Sequence, residues 1–418
     1  MSENRKAPGV SIMRYLEDCR SQIIERCTEC GMCIEHCEIK PYTALKNADP
    51  VRLVQDMKTF LVSGRHNEQV ISFAHQCINC LECTVHCPEG LEVSAVPVLA
   101  KARLVAEGIE TPPLLELARP CQEYSYQHIL SALQTAPNER WWLEDIPERL
   151  EQHDVVVFFG CHEMIFPDAM VATRDILQLL GLDAVFIGGG KSLCCGAVHL
   201  NTGAPSTAEQ LCQGLVEKLE GFRPKTVLLT CPTCVYVLDR GASRNGTSPV
   251  RYLHLAAFLA ERVESLPFKQ EVNRRITVQD PCFTARGLGD YESPRKVLSA
   301  IKGIQIVEME HNRENALCCG YSATGSTSPE TAEAFIGNRL REAFEAGAEI
   351  IANVCAGCQL AYLPYERSRG VEPVMFAKIV AQGLGNHIAI TDNHIFEPTR
   401  FRQFLGANHE FGLIQLFY

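Results

Sequence analysis

The feature that most constrains this sequence is a five-cysteine pattern that occurs twice. Each copy has a single cysteine, then the tripeptide Cys-Cys-Gly, then a Cys-x-x-Cys pair. In both copies 35 residues separate the second cysteine of the tripeptide from the first cysteine of the pair. The two sets are Cys161, Cys194, Cys195, Cys231 and Cys234, and Cys282, Cys318, Cys319, Cys355 and Cys358. This matched spacing predicts two soft-ligand metal sites rather than ten packing residues.

The composition supports metal binding and argues against other classes of protein. Of 418 residues 21 are cysteine, yet the chain is too long for a small disulfide-stapled domain. The first residues lack the apolar core of a signal peptide, and no run approaches the roughly 18 apolar residues of a membrane span. We therefore expect a cytoplasmic protein that reaches a membrane only through a partner. A net charge of −11 and a pI near 5.7 argue against nucleic-acid binding.

Two further cysteine runs near the N-terminus have the spacing of a bacterial two-cluster ferredoxin. Each reads C-x2-C-x2-C-x3-C, and the second run is followed by proline. In such runs three cysteines hold one [4Fe–4S] cluster and the fourth, which we expect to start a helix, crosses to the other cluster. The predicted ligands are Cys27, Cys30, Cys33 and Cys87 for one cluster, and Cys77, Cys80, Cys83 and Cys37 for the other.

The alternative for these runs is a pair of zinc ribbons, but ribbons separate their two Cys-x-x-Cys pairs by a longer loop. Glu38 departs from the ferredoxin pattern because proline normally follows the first run. Proline is not a ligand there, so the predicted clusters stand. Helical periodicity over 51–61 and 96–107 predicts a mostly helical module. Three histidines flank the cysteines and are predicted to be exposed or to donate hydrogen bonds to cluster sulfur: His36, His75 and His86.

Strands alternate with helices in the region that carries the repeated pattern. Strand-like runs over 154–160, 183–188 and 226–230 each lead towards cysteines, which predicts parallel sheets built from βαβ units. Ligands gather beyond the carboxyl ends of such strands, so the five cysteines of each copy should converge. The Cys-Cys-Gly and Cys-x-x-Cys elements of the two copies lie 124 residues apart. We predict two α/β domains related by a pseudo-two-fold, with facing sites and a cleft between them.

The predicted organisation is a ferredoxin-type domain over 1–110, a proline-punctuated connector over 111–150, cysteine-rich α/β domains over 151–265 and 266–390, and an apolar tail over 391–418. Trp141 and Trp142 either pack the connector against a domain or mark a surface that contacts a partner, and we favour the first alternative. The tail either packs on a domain or docks a partner. Three cysteines lack partner spacing and are predicted to be small buried hydrophobes: Cys19, Cys121 and Cys212.

Five cysteines per site is one more than a cubane cluster or a zinc site needs, which implies bridging sulfur or an opened cluster. The combination resembles the catalytic subunit of heterodisulfide reductase joined to its ferredoxin subunit. It is also similar to the iron–sulfur subunits of anaerobic glycerol-3-phosphate dehydrogenase and glycolate oxidase. The second copy adds residues similar to the signature of these proteins, namely Asp280-Pro281-Cys282, Arg286, Tyr291 and Pro294-Arg295. The resemblance implies one noncubane [4Fe–4S] cluster per set of five, hence four clusters, two cubane and two noncubane.

The resemblance further implies an oxidoreductase subunit that takes electrons from a flavin-containing partner and reduces a disulfide. The ten intact cysteines favour this over an electron relay without its own substrate, which would link a flavoprotein dehydrogenase to a quinone or other acceptor through a membrane or further iron–sulfur subunit. A structural zinc protein is the third hypothesis. The sequence has no flavin or nicotinamide fingerprint, so we expect this chain to bind neither. Arg286 and Lys191 either bind an anionic substrate at the cleft mouth or are surface charges.

Overall fold

The computed structural model describes residues 11–109, 126–135, 140–143, 146, 150–190, 193–242, 249–365 and 370–386. The predictions for Cys121, Lys191 and the tail over 391–418 lie outside these described residues. Within the described ranges, no helix combines the length and the apolar character needed to cross a membrane.

The N-terminal module is helical, as its periodicity predicts. Asp49 and Asn67 cap two of its helices by accepting hydrogen bonds from the backbone N–H groups of Arg52 and Val70. The helices are α1 (Ile12–Arg26), α2 (Met32–Glu35), α3 (Pro50–Ser63), α4 (Glu68–Gln76), α5 (Glu82–Val85) and α6 (Ala95–Ala106).

The position of the fourth cysteine in each run differs from the expectation. Cys37 and Cys87 follow the one-turn helices α2 and α5 rather than start helices. The physical reason is the x3 spacing, since three residues after the third cysteine complete a single turn. That turn closes when the backbone N–H of His36 donates to Met32 O at 3.1 Å, and the N–H of His86 donates to Glu82 O at 3.1 Å.

The first α/β domain contains a parallel four-stranded sheet with strand order β2-β1-β3-β4. Its central strand β1 is buried at every residue, as expected when helices cover both faces of a parallel sheet. The strands are β1 (Val155–Phe159), β2 (Ala184–Gly188), β3 (Thr226–Leu229) and β4 (Arg251–His254). The helices are α7 (Tyr126–Gln134) before the sheet, then α8 (Pro167–Leu179), α9 (Ala197–Asn201), α10 (Pro205–Gly221), α11 (Pro232–Ala242) and α12 (Leu255–Ala260).

The second α/β domain repeats this topology, with strand order β6-β5-β7-β8 and all neighbours parallel. The strands are β5 (Arg274–Gln279), β6 (Ile304–Ile306), β7 (Ile350–Asn353) and β8 (Glu372–Met375). The helices are α13 (Cys282–Leu288), α14 (Glu292–Ser299), α15 (Ala323–Ser326), α16 (Pro329–Glu345), α17 (Ala356–Tyr362) and α18 (Phe376–Gly383). The α/β fold class and the two parallel sheets are confirmed.

One apolar core runs through the junction of the two α/β domains. Phe159 and Leu228 of the first domain belong to the same buried cluster as Val278 and Ile350 of the second. Helices α8 and α18 also meet there, and Nζ of Lys378 lies 2.5 Å from a carboxylate oxygen of Asp168. A shared core and a buried ion pair fix the two sheets relative to each other.

The helical module and the connector both pack on the first α/β domain. Cys19 of α1 and Cys212 of α10 are buried in one apolar cluster, which confirms their predicted role as small hydrophobes. Trp142 is buried, and its indole N–H donates to Ser131 Oγ at 2.8 Å. Trp141 packs edge-on against Phe186 with ring centroids 5.3 Å apart. The tryptophan pair therefore pins the connector, as favoured from the sequence.

Candidate metal centres

The first ferredoxin-type group consists of four cysteines around one cavity. Cys27, Cys30 and Cys33 line it from the first run, and Cys87 lines it from the second. Burial raises the pKa of the Cys33 thiol to about 12, and the other three sulfurs contribute to that rise. The structure thus brings together the four cysteines that the crossed pattern predicts.

The second ferredoxin-type group has the reciprocal composition. Cys37 lies beside Cys77, Cys80 lies beside Cys37 and Cys83, and Cys83 lies beside Cys77. Burial, followed by the charge of Cys77, raises the pKa of Cys37 to about 12. The grouping is the predicted one, and the role of these cysteines as cluster ligands remains a prediction.

Both ferredoxin-type loops adopt the same unusual backbone. The residue before the second cysteine and the residue after it are left-handed in each run, at Glu29 and Gly31 and again at Asn79 and Leu81. Leu81 has φ +67°, which is uncommon for a bulky side chain and stores strain. The repeated conformation turns the backbone around the sulfurs, and the N–H of Asn79 donates to Cys77 Sγ at 3.4 Å.

The first five-cysteine site lies at the carboxyl edge of the first sheet. Cys161 follows β1, the Cys-Cys-Gly element lies between β2 and α9, and the Cys-x-x-Cys pair spans the start of α11 after β3. The thiols form one chain of neighbours in the order Cys161, Cys194, Cys195, Cys234 and Cys231. The structure therefore brings all five predicted cysteines together.

The second five-cysteine site lies at the equivalent edge of the second sheet. Cys318, Cys319, Cys358 and Cys355 form a chain of neighbouring thiols in that order. Cys282 lies close enough to Cys319 and Cys355 to feel their charge, and burial raises the pKa of Cys282 to about 12. All five predicted cysteines again converge.

The glycine of each Cys-Cys-Gly element has a structural reason. Gly196 and Gly320 are left-handed, with φ +79° and +87°. A Cβ at Gly196 would lie 2.4 Å from Ala208 O, and one at Gly320 would lie 2.7 Å from Ile336 Cγ1. Each glycine lets the cysteine pair turn against the following long helix, and its N–H donates to the sulfur of the first cysteine, at 3.3 Å for Cys194 and 3.4 Å for Cys318.

The signature residues of the second domain support the loop that carries Cys282. Arg295 is buried and donates to both carboxylate oxygens of Asp280, at 2.6 and 2.9 Å. Its remaining donors reach Glu308 at 2.8 and 2.9 Å and the carbonyl of Tyr291 at 2.6 Å. Asp280 lies between the end of β5 and Cys282, so this bidentate pair fixes the position of Cys282 relative to the sheet.

A contact between aromatic residues joins the two five-cysteine sites. His162 follows Cys161, and its Nδ1 lies 3.4 Å from that sulfur. The Nε2 atom of the same ring lies 2.6 Å from the hydroxyl of Tyr321, the residue after the second Cys-Cys-Gly. Glu163 is buried next to them, and burial raises its pKa well above the usual value, with Cys231 and Cys355 adding to the shift. A carboxyl close to one cysteine of each site shows that the sites are neighbours.

His254 joins the two Cys-x-x-Cys loops. Its Nε2 lies 3.1 Å from the carbonyl oxygens of both Thr230 and Val354, which are the residues immediately before Cys231 and Cys355. Its Nδ1 accepts from the N–H of Ala256 at 3.1 Å and so caps α12. Two acceptors at one nitrogen and a donor at the other require a neutral ring with the proton on Nε2. Burial lowers the pKa of His254, in agreement with that state.

Arg286 corrects the sequence interpretation. Its side chain is 2% exposed, so it is neither a surface charge nor a group at an open cleft mouth. It donates to Cys80 O at 2.9 Å, to Glu314 O at 3.0 Å and to Ala316 O. Two carboxylates from the ferredoxin-type module, Glu38 and Glu82, balance its charge. The sequence could not show this because the partners are remote in the chain.

The donor sets fit iron–sulfur clusters. Burial raises the pKa of Cys33 and Cys83, and the neighbouring thiol, followed by burial, raises the pKa of Cys161 and Cys318. The thiols of each group can therefore all become thiolates only around a cationic centre. Soft thiolates in sets of four are the donors of cubane clusters. The residues present would hold such clusters without further protein ligands.

The functional residues that sequence reasoning missed are those at which the two copies differ. His254 corresponds to Met375 by its position in the strand registers of the two sheets. His162 and Glu163 directly follow Cys161, and they therefore correspond to Phe283 and Thr284, which directly follow Cys282. A residue-by-residue comparison of the copies would have singled out these polar residues against apolar or neutral counterparts.

Comparisons with known proteins agree with the site. The sequence matches the 4Fe-4S dicluster domain family over residues 23–91. It matches the cysteine-rich domain family, CCG, over residues 155–239 and again over residues 276–361. These matches cover more than half of the chain and coincide with the helical module and the two sheets.

Three relatives illustrate the range of similar proteins. A subunit of the dihydromethanophenazine:CoB–CoM heterodisulfide reductase of Methanosarcina barkeri is 26% identical over 364 residues, which cover 80% of this chain and 87% of the relative. A subunit of the fumarate reductase (CoM/CoB) of Methanothermobacter marburgensis is 31% identical, covering 49% of this chain and 40% of the relative. EtfAB:quinone oxidoreductase of Syntrophomonas wolfei is 24% identical, covering 71% of this chain and 48% of the relative. This chain therefore belongs to the iron–sulfur oxidoreductase subunits that join a 4Fe-4S dicluster domain to two cysteine-rich domains, the group that includes the heterodisulfide reductase subunit of Methanosarcina.

Proposed function

We propose that this chain passes electrons from two ferredoxin-type [4Fe–4S] clusters to two noncubane [4Fe–4S] clusters, at which a disulfide is reduced. The ligands are the four cysteines of each ferredoxin-type group and the five cysteines of each repeated pattern. When bound, the clusters supply one-electron redox chemistry and iron that can coordinate sulfur. This chain binds neither flavin nor nicotinamide in the proposal.

The observation that carries the proposal is the proximity of the two five-cysteine sites. Tyr321 of the second domain contacts His162 of the first, and each residue lies beside its own site. Disulfide reduction consumes two electrons and two protons and releases two thiols. Two adjacent sites can hold the two separating sulfurs, one each, while His162 and Tyr321 define the space between them.

The electron donor in this proposal is a flavin-containing partner subunit. Support comes from the relatives, whose names describe subunits of larger enzymes such as heterodisulfide reductase and fumarate reductase. A membrane or further iron–sulfur subunit can complete the same chain of electron carriers. Co-purification from the native host would identify the donor and the acceptor together.

A second candidate is an electron relay without its own substrate. The similarity to EtfAB:quinone oxidoreductase over 71% of this chain favours it. In that case the five-cysteine sites pass electrons to a quinone-reducing or other acceptor protein, and no disulfide enters between them.

An assay of the isolated chain separates these candidates. The chain, purified anaerobically and reconstituted with iron and sulfide, is mixed with reduced viologen and the CoB–CoM heterodisulfide named for the relatives. Disulfide reduction that is lost in Cys194→Ser and Cys319→Ser but kept in Cys212→Ala, a buried cysteine outside every group, supports the first proposal. Cluster reduction without thiol formation supports the relay.

A further inference from the structure

The ferredoxin-type module contacts the second five-cysteine site through a buried ion pair. Glu38 follows Cys37 in the module, and its Oε1 lies 3.5 Å from a guanidinium nitrogen of Arg286 in α13. Its other oxygen accepts a hydrogen bond from the backbone N–H of Cys318 at 3.3 Å. One carboxylate therefore bridges from a cysteine of the second ferredoxin-type group to a cysteine of the second site.

Arg286 completes the bridge from the opposite side. It donates to the carbonyl of Cys80 at 2.9 Å and to the carbonyl of Ala316, two residues before Cys318. Its Nε lies 2.6 Å from Oε2 of Glu82, so the two side chains form an ion pair. The direction of the N–H group does not suit a hydrogen bond to that oxygen. Arg286 is also close enough to Cys282 for their charges to interact. A single guanidinium thus contacts the loops of both cysteine groups.

The burial of the cysteine pairs differs between the two copies at this contact. In the first site Cys194 is half-buried and Cys195 is buried, whereas in the second site Cys318 is buried and Cys319 is half-buried. Cys318 belongs to one apolar cluster with Ile39, Ile78 and Cys80 of the ferredoxin-type module. The module therefore covers Cys318 in the second site, whereas the equivalent cysteine of the first site, Cys194, is partly exposed.

The same module also packs on the first domain, through the apolar contact of α1 with α10 and a hydrogen bond to α9. Asn79 donates to the side-chain oxygen of Asn201 in α9 at 2.7 Å, a neutral contact. We propose that Glu38 and Arg286 are positioning residues that hold the Cys80 loop against the Cys318 loop, so that electrons enter the paired sites through the second one. This inference rests on the proposed electron transfer but does not require a disulfide substrate. In each step one electron leaves the ferredoxin-type group, one arrives at the second site, and an external one-electron donor replaces it.

The buried positive charge has a redox consequence. A guanidinium beside Cys80 and Cys282 stabilises added negative charge on either neighbour. Removing it should lower the reduction potential of the second five-cysteine site relative to the first. A purely structural role for Arg286 would not produce a selective shift of this kind.

Hydrogen exchange of the purified chain tests the positioning directly. Glu38→Gln keeps the shape of the side chain but removes one of the two carboxylates that Arg286 faces, and with it the ionised oxygen that accepts from the N–H of Cys318. Loss of one partner of a buried ion pair should increase exchange at the Cys318 loop about a hundredfold. Asn201→Ala, which removes one hydrogen bond between the module and the first domain, should leave that loop unchanged. Unaltered exchange at this loop in Glu38→Gln would overturn the positioning role.

Electron entry is tested by freeze-quench EPR after addition of substoichiometric dithionite, with Cys194→Ser used to assign the signals of the first site. We expect the second site to be reduced first in the unaltered chain. Glu38→Gln and Arg286→Met should both slow the reduction of the second site. Arg286→Met should also lower the reduction potential of that site, and Arg286→Lys should restore part of it. Asn201→Ala should match the unaltered chain in both measurements. Reduction of the first site before the second would overturn the proposed entry. A negative disulfide assay would instead count against the proposed function and leave both results standing.

Discussion

The hydroxyl of Tyr321 lies 2.6 Å from Nε2 of His162, and this contact crosses from the second cysteine-rich domain to the first. The opposite side of the same imidazole presents Nδ1 to Cys161 Sγ at 3.4 Å. A neutral ring satisfies both contacts when Nδ1–H donates to the sulfur and Nε2 accepts the tyrosine proton. A residue of the second domain therefore orients a sulfur contact in the first site.

Tyr321→Phe should change the first site although the substitution lies in the second domain. Without its tyrosine partner, His162 should donate less well to Cys161, and a weaker hydrogen bond to sulfur lowers a cluster's reduction potential. Potentiometric EPR should show a more negative potential for the first site. His162→Phe, which copies the residue at the equivalent position 283, should shift it in the same direction. An unchanged potential in both variants would contradict this role of the histidine.

The ion pair of Lys378 and Asp168 should stabilise the junction of the two α/β domains only when both residues are present, because either charge alone is left uncompensated. The Lys378 side chain is 1% exposed, so Asp168→Asn should lower the free energy of unfolding by about 3–5 kcal/mol. The double variant Asp168→Leu/Lys378→Met should recover much of that loss, because no uncompensated charge remains. Denaturant titrations of the unaltered chain, the two single variants and the double variant measure this coupling. Additive losses in the double variant would rule out the pairing.

His254 should make stability pH-dependent. Burial lowers its pKa, so the folded chain keeps the ring neutral at pH values where the unfolded chain, with a pKa near 6.5, is already protonated. The unfolded state then binds more protons, and stability falls as the pH drops below about 6.5. The contribution of the neutral ring is fully present above that pH.

His254→Gln lacks this titration but retains an amide that can donate to Thr230 or Val354. Its unfolding midpoint should therefore change less than that of the unaltered chain when the pH is lowered from about 7.5 to about 5.5. Urea unfolding at several pH values measures both curves. Parallel curves would show that the ring does not control the acid sensitivity.

Gly320→Ala should damage the second five-cysteine site. A Cβ there would meet Ile336 at 2.7 Å, and the left-handed backbone adds roughly 1–2 kcal/mol of strain. Gly181→Ala is the matched control, since Gly181 is also left-handed but a Cβ would meet nothing within 4 Å. Iron analysis should show a loss of about four atoms per chain in Gly320→Ala, one [4Fe–4S] cluster, and none in Gly181→Ala. Equal iron loss in both would mean that strain, not the collision, limits assembly.

Cysteine spacing and strand pattern were enough to predict the groups of cysteines, because both are local properties. Cys161, Cys231 and their counterparts follow strand ends, and the carboxyl ends of parallel strands must share one sheet edge. The ferredoxin-type crossover follows in the same way from the x2-x2-x3 spacing. The structure groups the cysteines as that reasoning predicts, and their ligand roles await direct measurement.

The side chains between the groups could not be predicted because their contacts are long-range. Arg286 meets Glu38 across 248 positions of the chain, and Tyr321 meets His162 across 159. Spacing within the sequence carries no information on such pairs. From the sequence, Arg286 is therefore interpreted as an anion-binding residue or a surface charge. The structure instead buries it between the ferredoxin-type module and the second α/β domain, where it contacts residues of both.

The proposed set of four clusters is tested most directly by Mössbauer spectroscopy of the anaerobically purified, ⁵⁷Fe-enriched chain. We predict about sixteen iron atoms per chain, four for each of four [4Fe–4S] clusters, with half of the iron in a noncubane spectral component. Cys194→Ser and Cys319→Ser should each reduce that component while the cubane component persists. A spectrum composed of cubane clusters alone, at full iron content, would contradict the proposed pair of noncubane clusters.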